Sequence, residues 1–153
     1  MNCHEKTLLK KIATFKNGKK RPDSIGNIPV YGGNGILGYC GNSNNRNCVV
    51  VGRVGAYCGS VYYESGECWI SDNAIAAISH EGHDVRFLYY LLKSLNLNQY
   101  SIGSSQPLIT QKILNDIEIF QFSLRKEKEI ISVLACIDDL ISVNNKINDN
   151  LVA

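Results

Sequence analysis

The chain has 153 residues, 44% of them hydrophobic and 20% charged, the proportions of one ordinary globular unit rather than of a disordered or fibrous protein. No apolar run approaches the ~18 residues of a membrane-spanning helix, and the start Met1-Asn2-Cys3-His4-Glu5-Lys6 lacks the apolar core of a signal peptide, so a cytoplasmic location is expected. Net charge is only +2, but through Ser60 nine Lys and Arg stand against Glu5 and Asp23, a net of +7, and beyond it 7 basic residues face 12 acidic ones, a net of −5. A basic half turned to a polyanion suits DNA binding; an unevenly charged solvated surface is the plainer reading of the same numbers.

In chain order, the first two-thirds predicts short strands divided by glycine and Asn/Ser clusters, as in a strongly curved sheet. Ile28-Pro29-Val30-Tyr31 reads as a short strand, closed by Gly32-Gly33-Asn34-Gly35. The polar stretch Asn42 to Asn47 predicts an exposed loop, and Cys48-Val49-Val50-Val51 a β-branched strand followed by Gly52-Arg53-Val54-Gly55. Ser60-Val61-Tyr62-Tyr63, Cys68-Trp69-Ile70 and Ala74 to Ile78 read as three further strands. Apolar spacing of three and four predicts a helix over Val85 to Leu97 with Asp84 as its cap, and Thr110 caps a short helix over Gln111 to Leu114 before a strand from Ile117 to Phe122.

From Leu124 to about Leu151 the pattern is that of a long helix of coiled-coil type. Val133, Ile137, Leu140, Ile147 and Leu151 share a seam with Asn144, and Ile130, Leu134 and Ile141 widen it. Such a helix is roughly 40 Å long at 1.5 Å per residue, and a stripe continuing so far past the last strand calls for a partner. The alternative is a helix that packs on its own domain.

Several motifs fail on inspection. Gly33-Asn34-Gly35-Ile36-Leu37-Gly38 spells a dinucleotide loop, but Tyr39-Cys40-Gly41-Asn42-Ser43 does not sustain the helix such a loop opens, and no carboxylate follows at the required distance. His80-Glu81-Gly82-His83 has its histidines three apart rather than four, so a polar turn is expected there and no metal. The six cysteines, at positions 3, 40, 48, 58, 68 and 136, form no close pairs and read as buried thiols. No nucleophile elbow, methyltransferase motif or cofactor loop is present, so no catalytic residue and no cofactor are expected.

What remains is contact chemistry. Lys16, Lys19, Lys20 and Arg21, in the loop around Gly18, suit DNA phosphates. Tyr31, Asn34, Arg46, Arg53 and Gln106 sit in or beside glycine- or serine-rich turns, where a backbone approaches a groove and Arg or Asn/Gln pairs with guanine or adenine edges. A core role for Tyr31 and a structural hub at Arg53 are the alternatives.

Taken in order, these residues resemble the specificity (S) subunit of type I restriction-modification systems, over nearly the whole chain. The resemblance runs through Asn17-Gly18-Lys19, Ile28 to Ile36 with Gly38-Tyr39, Val51-Gly52-Arg53-Val54-Gly55, Ser71-Asp72-Asn73-Ala74, Phe87 to Leu92, Ser105 to Thr110, and Ile130, Leu134, Ile137-Asp138 and Ile141. It implies an α+β protein: a curved, β-rich target-recognition domain with small helices over residues 1–122, then a long pairing and spacer helix over 123–153. The implied role is non-catalytic: one half of a bipartite duplex DNA site is read, an adenine methyltransferase subunit is docked, and a motor-nuclease subunit is an optional further partner. A homodimer is expected, its two copies joined antiparallel through Val133, Ile137, Leu140, Asn144, Ile147 and Leu151. The alternative is an interaction module that holds a methyltransferase without reading DNA.

Two departures stand out. The family usually carries a proline pair and a glutamine where the helix begins, whereas Phe122-Ser123-Leu124 and Glu127 stand here. Complete subunits also carry two recognition domains and two helices, so one of each marks either a half-subunit or a fragment.

Overall fold

The computed structural model describes residues 5–152; Met1 to His4, with the Cys3 thiol, and Ala153 lie outside the described residues. The centre of the fold is strand β5, Asn45–Gly52, whose residues Cys48 to Val51 are completely buried. Side chains alternate across a strand, so an uninterrupted apolar run must be covered on both faces. Val49 and Val51 enter a cluster with Leu9, Phe15, Leu88, Leu92, Leu97 and Ile109. Cys48 and Val50 point the other way, into a second cluster with Tyr31, Cys68, Ile70, Ala74 and Ala76.

Five further strands complete this sheet: β2 (Ala13–Asn17), β3 (Ile28–Gly32), β4 (Gly35–Cys40), β6 (Val61–Ile70) and β7 (Ala74–Ser79). Their order is β2-β7-β5-β6-β3-β4, antiparallel except for the short parallel match of β3 with β6. Register shifts between Arg46 and Cys48 and between Val30 and Tyr31 bend the strands. The sheet curls until the β3–β4 turn meets the end of β5: Ser60 Oγ donates to Gly33 O, and Gly33 lies against Gly52. A separate pair, β1 (Lys6–Leu8) with β8 (Glu118–Phe120), is antiparallel.

Two helices cover the outer cluster. Helix α1, Val85–Ser94, is capped by Asp84, whose side chain accepts from Arg86 N at 2.8 Å, and it buries Phe87, Leu88 and Leu92. Helix α2, Gln111–Asn115, is capped by Thr110, which accepts from Ile113 N at 3.2 Å. Both caps are those read from the sequence.

Elsewhere the elements differ from that reading. Strand β5 begins inside the polar stretch, at Asn45, with Asn47 at φ +45 in the bulge, so only the front of Asn42 to Asn47 is loop. The two strands read around Tyr62 and Trp69 are one bent strand, β6. Strand β4 was hidden by Gly35 and Gly38, which depress strand propensity while supplying the positive φ its hairpin needs. Cys40, Cys48, Cys58 and Cys68 are buried thiols, Cys48 and Cys68 with their sulfurs 3.7 Å apart, but Cys136 is exposed on a helix. Burial pushes the Cys58 thiol up, and the hydrogen bond with Cys48 together with burial does the same for Cys68.

Helix α3 runs from Leu124 to Val152 and is fastened to the sheet domain only over its first half. Ser123 starts it, accepting from Lys126 N through its hydroxyl and from Glu127 N through its carbonyl. Glu127 is completely buried: one carboxylate oxygen lies 2.6 Å from His83 Nδ1 and the other accepts from Asp84 N at 2.8 Å. Phe122 meets Phe87 edge-on at 5.6 Å. Three turns on, Tyr90 donates to Asp138 at 2.7 Å beside a cavity of about 420 Å³ walled by Tyr62, Tyr63, Arg86, Tyr89 and Lys93. Burial and the Asp138 carboxylate push the Tyr90 hydroxyl up to about 12, so it remains a donor at neutral pH.

Ile130, Ile131, Leu134 and Ala135 are half-buried against the domain, while every described side chain from Asp139 to Leu151 is exposed. Packing on its own domain therefore holds for one face of the first half of this helix. Ile130 and Leu134, read as widening the outer seam, belong to the docked side, and the seam itself points outward from Val133 (60% exposed) to Leu151 (79%).

Glu127→Ala leaves the Asp84 N–H and the His83 ring without their buried partner, and is expected to lower unfolding stability by about 3 kcal/mol. Glu127→Gln keeps an acceptor for Asp84 and is expected to lose less. Denaturant unfolding of the two variants and the parent measures both; equal losses would show that hydrogen bonding at this position does not matter.

Candidate nucleic-acid interface

Four segments far apart in sequence meet at one end of the curled sheet. The first is the loop after β2. Gly18 N donates to Ala74 O and Lys19 N to Ile70 O, Trp69 Nε1 donates to Lys19 O, and Arg21 Nη2 reaches Tyr39 O at 2.7 Å. The backbone is so close at Gly18 that a Cβ there would lie 1.9 Å from Ser71 O. Held in this way, Lys19, Lys20 and Arg21 are presented to solvent.

The second and third segments are the turn Ser71-Asp72-Asn73 and the stretch after β5. Arg53 N donates to Asn73 O, and the Arg53 guanidinium touches Asp72 O at 3.4 Å. Arg53 O accepts from Ile109 N and from the Cys58 thiol. The main chain of Arg53 thus ties three segments together while its side chain stays half-exposed. Gly55 N donates to Pro107 O, which brings the exposed Gln106 alongside. The fourth segment is the β3–β4 turn: Gly33 packs near Tyr57 and Asn73, and Asn34 is exposed at its tip. Arg53 Nε and Ser71 Oγ are buried in this cluster without a hydrogen-bond partner among the described residues.

Of the residues singled out from sequence, Lys19, Lys20, Arg21, Asn34, Arg53 and Gln106 gather here. Lys16 is exposed on β2, opposite Ala76, just before the basic loop. Tyr31 is not available for contact: it is buried in the inner cluster and its hydroxyl donates to Glu64 at 3.0 Å, burial and that carboxylate raising its pKa. Arg46 sits at the opposite end of β5 from Arg53, paired across the strands with Glu67. The glycine motif at 33–38 is a hairpin. His80 bonds Thr14 Oγ1 and Lys11 O, and His83 bonds Glu127, so both histidines are structural; no group of three metal-ligating side chains is found among the described residues.

Sequence reasoning missed Tyr57 and Asn73. Tyr57 stands 52% exposed on a single helical turn that Gly55 opens at φ +74. The signal was there, an aromatic residue at the end of Gly-Arg-Val-Gly-Ala-Tyr, but only the curl of the sheet brings it beside Gly33.

The family model of the type I restriction modification DNA specificity domain matches residues 5–153. The chain is similar to the type I restriction enzyme EcoprrI specificity subunit of Escherichia coli, at 31% identity over 113 residues, covering 73% of this chain and 28% of that one. In fold it is similar to the type I restriction-modification S subunit from M. genitalium (TM-score 0.76, 20% identity), covering 98% of this chain and 45% of that one. The HsdS subunit from Thermoanaerobacter tengcongensis is alike (TM-score 0.70, 20% identity), with 94% and 39% covered. The chain spans less than half the length of each of these relatives.

Two glycines of the cluster separate crowding from backbone strain. Gly18→Ala drives a methyl into Ser71 O and is expected to cost about 2–3 kcal/mol. Gly55→Ala meets open space and suffers only its positive φ, about 1 kcal/mol. Chemical denaturation reads the difference; equal costs would mean that the Gly18 contact is soft.

Proposed function

The chain belongs to the family of type I restriction modification DNA specificity domains, and on that premise we propose that it reads one half of a bipartite duplex DNA target without catalysing a reaction. The observation that carries this reading is the convergence of the basic loop, the Asn34 turn, Arg53 with Tyr57, and Gln106 at one end of the sheet. Cations in that arrangement bind phosphates and fix position, and a half-exposed arginine flanked by amide side chains suits base edges in a major groove.

The division of labour falls near residue 122. The domain before it recognises DNA, and the helix after it sets distance and docks partners: an adenine methyltransferase subunit, with a motor-nuclease subunit as a further associate. Two copies pair antiparallel through the outward seam of α3, giving an interrupted palindrome as the target. The support for this part is the exposure of the seam from Val133 to Leu151.

Selection of bound duplexes from a random pool, using the purified chain with its methyltransferase, is expected to return a two-part motif. A pool that stays random would favour an assembly module without sequence preference. Within the selected site, Arg53→Ala is expected to relax one position at a cost of about 1–3 kcal/mol, since the main-chain bonds of Arg53 survive the substitution. Joint replacement of Lys19 and Lys20 by alanine is expected to weaken all sequences alike and to flatten the salt dependence of log K by about 2. Titrations at several salt concentrations distinguish the two effects.

A further inference from the structure

We propose that Cys48 and Cys68 are an oxidation site, two thiols that a hydroperoxide joins as a disulfide at the base of the β5–β6 hairpin. Both are completely buried, and their sulfurs lie 3.7 Å apart in hydrogen-bond contact. A disulfide bond is about 2.05 Å long, so the sulfurs have only roughly 1.6 Å to close. The other described thiols are differently placed. Cys40 donates to Asn42 O, Cys58 donates to Arg53 O, and Cys136 is exposed on α3.

The strand pairing leaves room for that approach. Strands β5 and β6 match at Asn45–Cys68 and Arg46–Glu67, and again from Cys48–Glu64 onward, with a register shift between and Asn47 at φ +45 within it. The cysteines therefore meet diagonally across a break in the ladder, on the face that also holds Tyr31, Val50 and Ile70. An interrupted ladder gives more readily than a continuous one, because the extra residue carries no paired hydrogen bonds. Opening at this bulge is also the route by which a small oxidant reaches two sulfurs that have no exposed surface.

The hydrogen bond assigns the roles. With Cys68 as donor, it holds the Cys48 thiol below its ordinary value, against burial and the Glu64 carboxylate, and it raises Cys68. Cys48 is thus the nucleophile. Its sulfur attacks one oxygen of the hydroperoxide: the sulfur–oxygen bond forms, the oxygen–oxygen bond breaks, and the displaced oxygen leaves with the Cys48 proton as water or an alcohol. Cys68 then attacks the sulfenic sulfur, the sulfur–sulfur bond forms, and the hydroxyl leaves with the Cys68 proton as water. The two thiols lose two electrons in all, and the hydroperoxide gains them. The ring so closed contains residues 49–67, among them Arg53 and Tyr57 of the candidate interface. The modification acts on the strands that carry that surface and leaves the surface itself untouched.

The folded chain is treated with hydrogen peroxide, quenched with acid, alkylated under denaturing conditions and digested without reductant. Mass spectrometry is expected to recover Cys48 and Cys68 in one disulfide-linked peptide pair, with Cys40 and Cys58 alkylated. The exposed Cys136 is oxidised in the same sample, which shows that the peroxide was active. Cys48 and Cys68 recovered as alkylated thiols beside an oxidised Cys136, or linked to other cysteines, overturn the proposal. In Cys68→Ala, Cys48 has no second thiol to resolve it and is expected to be recovered as a sulfinic acid, whereas Cys68 in Cys48→Ala is expected to stay a thiol. Equal oxidation of the two overturns the choice of Cys48 as nucleophile.

Discussion

A strand that is apolar on both faces cannot lie at the surface of anything. Cys48 to Val51 form such a strand, and burying each of its valines contributes about 1.5–3 kcal/mol. One face is covered by helices, as in many α+β folds. For the other the described residues supply no second helical layer, and the sheet itself must curl over, using the small side chains Ala74, Ala76 and Cys68 where strands draw close. The curl is what carries the β3–β4 turn to Gly52 and gathers loops from residues 18, 34, 53, 73 and 106 on one surface. The candidate interface is thus a by-product of the way the core is closed.

The helix depends on a second constraint. A buried carboxylate is tolerable only where its charge is matched by donors, and Glu127 finds two in the same corner, the His83 ring and the main-chain N–H ahead of α1. With Tyr90–Asp138 farther along, α3 is held at two points, which makes it an extension of the sheet domain rather than a tether. A glutamine at this position would be isosteric with Glu127 and offer one acceptor oxygen rather than two, keeping the geometry of the joint while changing its charge.

How much of this could be read beforehand followed the range of the physics involved. Local signals were legible: Asp84 and Thr110 as caps, the β-branched run of β5, and the three-four periodicity of α3 all depend on residues within a turn or two of each other. The bend in β6 and the strand β4 were not, because glycines that enable a hairpin also erase the alternation by which strands are recognised. For the interface, the cations and exposed amides were evident by type, but Tyr31 looked the same as Tyr57 until the curl buried one and left the other out. Ile130 and Leu134 likewise matched the seam by spacing; only the position of α1 assigns them to the other face.

Because α3 is one continuous helix from the Glu127 joint to Leu151, its length and its twist cannot be changed separately. Adding a single residue beyond Asp138 would advance whatever lies downstream by roughly 1.5 Å and swing it through about 100°. Two whole turns, seven residues, nearly restore the azimuth while adding about 10 Å. Any spacing dictated by such a rod is therefore quantised, and it changes in jumps rather than by gradual drift.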